Sequence, residues 1–306
     1  ADTEYMFHSM IEWELPRLLW QRFGERASFR LSLARPGEMP GHVEVAARSR
    51  LEMDAVPSDP PILNPALSDR TYRVIDTSLG YFRPGPFFAA EKPEAMYDNT
   101  AFVRLVDEAF SQFTASGVKR LIIDLRDNPG GDNSFSDHLV AWFADRPFRF
   151  ASAFRIKVTP ETIASNQARL SGISAALARA YAGKSDGQII DFPIPVACPR
   201  PSNRYRGDIF VLVNRHSYSN TVSVASLIQD YGFGTIIGEE TSDLATTYGA
   251  MESFSLSRTR ITIGYPKARI IRASGNLAIR GVVPDIVIDS PIIETPDDPV
   301  LKRAID

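Results

Sequence analysis

Apolar positions change their spacing several times along this chain, and each change predicts an element. Residues 12–23 (Glu-Trp-Glu-Leu-Pro-Arg-Leu-Leu-Trp-Gln-Arg-Phe) predict a short amphipathic helix with Pro16 near its first turn and Gly24 ending it. Residues 28–33 alternate polar and apolar, the pattern of a half-buried strand, and residues 42–45 repeat it after two Pro-Gly turn signals. Phe102, Leu105, Val106, Ala109, Phe110 and Phe113 fall at helical spacing. Residues 121–125 and 209–213 are short, almost wholly apolar runs, as in strands buried on both faces of a parallel sheet.

Further helices are predicted after the first of these runs (Leu139, Val140, Trp142, Phe143), over 161–181 (Ile163, Leu170, Ile173, Leu177, Tyr181) and over 221–230, ending at Gly232. Residues 235–237 add a strand, and alternating segments from Met251 onward give a β-rich end. Strands alternating with helices predict an α/β core with right-handed crossovers. Helix, strand, turn and strand over about 35 residues, from residue 12 to residue 45, are too few for a domain, and residues 54–70, with four prolines, have linker composition. The expected organisation is therefore an amino-terminal segment (1–53), a linker (54–70) and a core (71–306).

Composition narrows the functional classes. A formal net charge of −3 over 306 residues gives no global attraction to nucleic acid or an anionic membrane. No apolar run approaches the ~18 residues of a membrane span. One cysteine, Cys198, excludes an internal disulfide framework and a Cys-rich zinc site. With 28 Arg against 6 Lys, each lysine can be weighed singly as a catalytic amine. His8 with Glu12, and His42 with Glu44, lack the third ligand of a catalytic zinc and read as structural; no metal or cofactor is expected. The chain opens Ala1-Asp2-Thr3, which suits either a mature chain after leader removal or a fragment.

Two loops stand out because each follows a buried strand and opens a helix, where open α/β sheets place their ligands. The first is Asp127-Asn128-Pro129-Gly130-Gly131, whose paired glycines let backbone N–H groups converge on an anion. It also suits an ordinary tight turn. The second is His216-Ser217-Tyr218-Ser219-Asn220-Thr221, with three aliphatic hydroxyls at a helix mouth. N-capping explains one hydroxyl; a nucleophile in the favourable field of the helix dipole explains another.

Together these loops resemble the carboxyl-terminal processing (tail-specific) serine proteases. Residues 121–131 are similar to that family's D-L-R-x-N-x-G-G segment, and residues 211–232 to its strand, S-A-S-A-S-E turn and helix ending Q-D-Y-G. Residues 235–241 resemble its V-V-G-E-x-T strand, and residues 281–285 its G-I-x-P-D close. The resemblance implies a ClpP/crotonase-like spiral core of α/β (α+β) class with an added β-rich carboxyl-terminal part. Residues 15–50 are similar to the carboxyl half of a PDZ domain, making 1–53 a partial PDZ-like segment. A polypeptide substrate is implied, and with it a periplasmic, cell-envelope or extracellular location.

Carried over by position, the resemblance makes Ser219 the nucleophile and gives the oxyanion hole to the N–H of Asn220 and the Gly130–Gly131 backbone. Asp230 is expected to be structural. The family's lysine base, in G-E-x-T-x-G-K-G, falls on Leu244, which takes no proton. Replacement bases are Lys267, on a later strand, and His138, on the helix after the glycines; His216 is the weakest and shapes the turn. The competing functions are a catalytically inactive peptide- or lipid-binding module on the same core, as in the interphotoreceptor retinoid-binding protein, and an acyl-CoA enzyme of crotonase type.

Overall fold

Two neighbouring strands without a polar face organise the molecule. This computed structural model describes residues 3–34, 37–49, 51–52, 55, 69–168, 172–290 and 297–306. Strands β5 (Arg120–Asp124) and β8 (Asp208–Val213) are parallel neighbours in a six-stranded sheet. Its other members are β3 (Thr71–Val74), β4 (Leu79–Arg83), β9 (Thr235–Gly238) and β12 (Ile286–Val287), in the order β12-β9-β8-β5-β4-β3. All neighbours are parallel except β3, which is antiparallel to β4. An α/β core is therefore present, as the alternating pattern predicts.

Helices α2 (Thr100–Ala115), α3 (Asn133–Ala141) and α6 (Asn220–Tyr231) cover this sheet. The apolar stripe expected on α2 is buried at Phe102, Val106, Ala109, Phe110 and Phe113. Phe110 is the hub: it meets Phe82 and Tyr205 edge-on and stacks on Trp142 at 5.2 Å between ring centroids. A second, antiparallel sheet joins β10 (Thr247–Ser255), β11 (Thr262–Arg272), β6 (Ala151–Lys157) and β7 (Ile189–Asp191), which is the β-rich end plus two earlier strands. Helices α4 (Pro160–Ala168) and α5 (Gly172–Tyr181) pack on it through a core that includes Ile156, Leu177, Tyr181 and Ala268. The single helix expected over 161–181 is thus two helices; Leu170 lies outside the described residues. A short helix α7 (Pro299–Ile305) ends the chain, capped by Asp298.

At the amino end, α1 runs from Glu4 to Phe23, eight residues earlier than its apolar pattern suggests, so Pro16 is interior rather than near the first turn. Thr3 starts it by accepting the Met6 N–H at 3.0 Å on its hydroxyl. An antiparallel hairpin follows, β1 (Ser28–Leu33) and β2 (Gly41–Ala46), with no further strand paired to it among the described residues. Most of the linker expected over 54–70 lies outside the described residues. Among the described residues no helix is long and apolar enough to cross a membrane.

Phe110→Ala should cost about 3–5 kcal/mol of stability, because it removes a fully buried ring shared by sheet and helices. Urea unfolding of the variant measures this; a loss under about 1 kcal/mol would contradict the hub role.

Candidate active site

Because β5 and β8 are parallel neighbours, the loops after them leave the sheet at one edge. Asn214, first after β8, joins the two loops. Its Nδ2 donates to Asp127 Oδ1 at 2.8 Å, and its Oδ1 accepts the N–H groups of Asp127 and His216, each at 3.1 Å. Ser217 Oγ donates to the Leu125 carbonyl at 2.9 Å, and the Tyr218 N–H donates to the Asn128 carbonyl at 3.0 Å. Residues 214–217 are all buried, so these bonds are poorly exchangeable for water.

That buried platform delivers one exposed serine. Ser219 stands at the mouth of α6 with φ 54° and ψ −123°, a conformation a residue with a Cβ rarely adopts. Its hydroxyl caps no backbone N–H, so N-capping does not account for it. Its own N–H donates to Asp243 Oδ2 at 2.9 Å, which holds the strained turn from the far side. Asn220 Nδ2 donates to Ser136 Oγ at 2.9 Å and ties α6 to α3.

The glycine loop presses against this turn. A Cβ on Gly130, at φ 92°, would lie 2.7 Å from both the Asn220 nitrogen and Ser219 Cβ. A Cβ on Gly131, at φ 139°, would lie 2.1 Å from the Phe87 carbonyl oxygen. Neither position accommodates a side chain without moving backbone. The two glycines differ in what remains open. The Gly130 N–H donates to Asn128 Oδ1 at 2.9 Å, whereas the N–H groups of Gly131 and Asn220 have no acceptor among the described residues. Of the three N–H groups, only that of Gly130 is thus engaged among the described residues.

The sequence-predicted bases lie in other surroundings. His138 Nε2 is 2.7 Å from Asp107 Oδ1, which also accepts from Trp142 Nε1 and Arg200 Nη1. Ser136 faces Asn220, and two residues along a helix is about 200° of rotation, so His138 leaves α3 on the opposite side. Lys267 Nζ, buried on β11, donates to Glu252 Oε1 at 2.6 Å, and Ser165 donates to the same carboxylate. Lys267 also lines a cavity of about 200 Å³ with Lys157, Thr162, Phe254 and Tyr265, over the second sheet. Leu244 is half-buried, its N–H on Asp243 Oδ1 at 2.8 Å.

His216 is buried and locks α1 to the Ser219 turn. Its Nε2 is 2.7 Å from Glu12 Oε2, and its Nδ1 is 3.1 Å from Ser9 Oγ. Arg215 Nε donates to Glu12 at 3.0 Å, while its Nη1 donates to Glu239 at 2.8 Å. Burial alone would raise the Glu12 carboxyl, but hydrogen bonds from His216 and Arg215 hold it below the ordinary range. Glu12 thus pairs with the turn rather than with His8, which instead comes within 4.0 Å of Glu4. Asp230 takes the structural role expected of it, binding Arg272 at 2.6 Å.

Asp243 and Asn214 are the residues sequence reasoning passed over. Asp243 follows Thr241-Ser242 in a turn after β9, where a short acceptor commonly bonds nearby backbone N–H groups. That local signal says nothing of a partner 24 positions away. Among the described residues no three His, Cys, Asp or Glu side chains gather as a cation site requires.

Comparisons with known proteins bear on the family and the fold. The family model described as Peptidase family S41 matches residues 96–288, which include both loops and Asp243. The fold is similar to that of mature CPAF, solved with lactacystin, at 17% identity and a TM-score of 0.55, covering 86% of this chain and 63% of that one. A candidate peptidase from Parabacteroides merdae is 18% identical with a TM-score of 0.52, covering 78% and 66%. A candidate S41 protease from Bacteroides fragilis is 16% identical with a TM-score of 0.51, covering 91% and 64%. The chain thus spans less than two thirds of the CPAF chain it matches. In sequence, no curated protein matches it significantly.

One half-buried acid on α3 carries a pH signature. Asp137 keeps Oδ1 buried without a hydrogen-bond partner among the described residues, and burial pushes its carboxyl up to about 6. A carboxyl raised on folding favours the folded state below its unfolded value of about 4 and loses that contribution as pH rises through 6. Asp137→Asn should therefore stabilise the protein at pH 7.5 by about 1–2 kcal/mol and change little at pH 4. Urea midpoints at the two pH values measure it; equal effects at both would contradict the assignment.

Proposed function

As the chain belongs to peptidase family S41, we propose that it is a serine-type peptidase, cleaving polypeptides through an acyl-enzyme on Ser219. The observation that carries this reading is an exposed serine, held in a strained turn, with the N–H groups of Gly131 and Asn220 lacking acceptors among the described residues. Ser219 Oγ would attack a peptide carbonyl, and the developing oxyanion would lie between the N–H groups of Gly131 and Asn220. The mouth of α6 adds its positive dipole end to the same place.

The proton acceptor is the open part of the chemistry. Leu244 offers none. Lys267 and His138, the acceptors the sequence suggests, would each have to leave a carboxylate, Glu252 or Asp107, to serve Ser219. The competing reading, a silent core that binds peptides or lipids, draws on Leu244. A polypeptide partner and a cell-envelope or extracellular setting accompany the peptidase reading through the family resemblance.

A fluorophosphonate probe separates the readings. Wild-type protein should be labelled at Ser219, found by mapping the modified peptide, and Ser219→Ala should not be labelled there. Absence of labelling, alongside a saturable change in fluorescence of an apolar ligand, would favour the binding module. Gly131→Ala should slow peptide cleavage by about 10²–10³-fold, since the Phe87 carbonyl would force the donor N–H out of place. Full activity in that variant would remove Gly131 from the oxyanion hole.

A further inference from the structure

We infer that Asp243 is the general base of this site, a carboxylate standing in for the missing lysine; the inference rests on the Ser219 reading above. The side chain shown in contact with the nucleophile's own backbone is this one, with Oδ2 at 2.9 Å from the Ser219 nitrogen. In two of the three staggered rotamers a serine Oγ lies roughly 3 Å from its own nitrogen, so one turn about χ1 brings the hydroxyl towards the oxygen that now accepts the N–H. Catalytic hydrogen bonds often tighten only when substrate is bound.

The carboxylate is built to face this way. Its other oxygen, Oδ1, accepts the Leu244 N–H at 2.8 Å and lies 3.5 Å from Thr247 Oγ1, which turns Oδ2 towards Ser219. Asp243 is 8% exposed, so little water competes for its oxygens at this turn. Its charge is felt across the turn. The phenol of Tyr218, the titratable neighbour on that turn, is pushed up first by burial and then by Asp243. Sequence position supports the same assignment. Where the family pattern reads glycine then lysine, this chain reads Asp243 then Leu244, so the proton acceptor has moved by one residue and changed type.

The reaction then closes without a co-reactant other than water. Asp243 takes the Ser219 hydroxyl proton as Oγ bonds to the substrate carbonyl carbon, and the carbonyl electron pair moves to the oxygen held by Gly131 and Asn220. The pair returns, the C–N bond breaks, and Asp243 gives its proton to the departing amine. Water next loses a proton to Asp243 and attacks the ester. Collapse releases a carboxylic acid product and returns the proton to Ser219.

The test is the rate of fluorophosphonate labelling at Ser219 as a function of pH, in wild type, Asp243→Asn and Ser219→Ala. Asparagine keeps an oxygen for the Ser219 N–H but accepts no proton from the hydroxyl. Labelling of Asp243→Asn should be at least ~100-fold slower, with a thermal melt to confirm folding, and its rate should lack the acid limb of the wild type. Wild-type labelling should hold through neutral pH and fall on acidification. A wild-type rate that climbs into the alkaline range, as an amine base would make it, overturns the inference without any variant. So does a folded Asp243→Asn that labels at near wild-type rate, which would reduce Asp243 to holding the turn. No labelling of wild type at Ser219 overturns the nucleophile itself, a separate failure.

Discussion

The site depends on one buried side-chain amide. Asn214 joins the loops after two adjacent parallel strands, and the glycines, Ser219 and Asn220 all lie on one loop or the other. Ser217 Oγ on the Leu125 carbonyl and the Tyr218 N–H on the Asn128 carbonyl reinforce that link between the glycine loop and the serine turn. With it, Gly130 sits so close to the turn that a single added carbon would touch the Asn220 nitrogen and Ser219 Cβ. The cost of ordering both loops is borne in the interior, where unmade hydrogen bonds are expensive, rather than at the exposed serine.

A strained residue persists only where its surroundings over-determine it. Ser219 is held from three directions: by the buried turn 214–217 before it, by α6 after it, and by Asp243 on its N–H. A further brace comes from the amino terminus, since α1 supplies Glu12 to both Arg215 and His216. This helix therefore supports the nucleophile turn even though it is remote from it in sequence. In this strained conformation the residue is exposed and its hydroxyl does not cap the helix it precedes.

How much of this is legible in the sequence follows from the range of each interaction. The almost wholly apolar runs 121–125 and 209–213 announce buried parallel strands, and they occupy neighbouring places in the sheet. The helical stripe from Phe102 to Phe113 is buried as its spacing requires. Both loops are visible because Gly-Gly and the hydroxyl run are local signals. The long α1 is less visible, because its start is set by a Thr3 cap and by a Ser9–His216 contact from a distant part of the chain. The division of labour between Gly130 and Gly131 is invisible, since it turns on which N–H the Asn128 side chain occupies. Asp243 is hidden for a similar reason: its partner is a backbone group on another element, and the eye goes to Leu244, where the expected lysine is missing.

The central claim is that Ser219, Gly131 and Asn220 form one reacting centre. A crystal structure of the protein treated with a peptide aldehyde or boronate tests it most directly. The account predicts a tetrahedral adduct bonded to Ser219 Oγ, with one adduct oxygen about 2.7–3.1 Å from both the Gly131 and the Asn220 nitrogens. An adduct on another residue, or one on Ser219 whose oxygen points away from those two nitrogens, would contradict it.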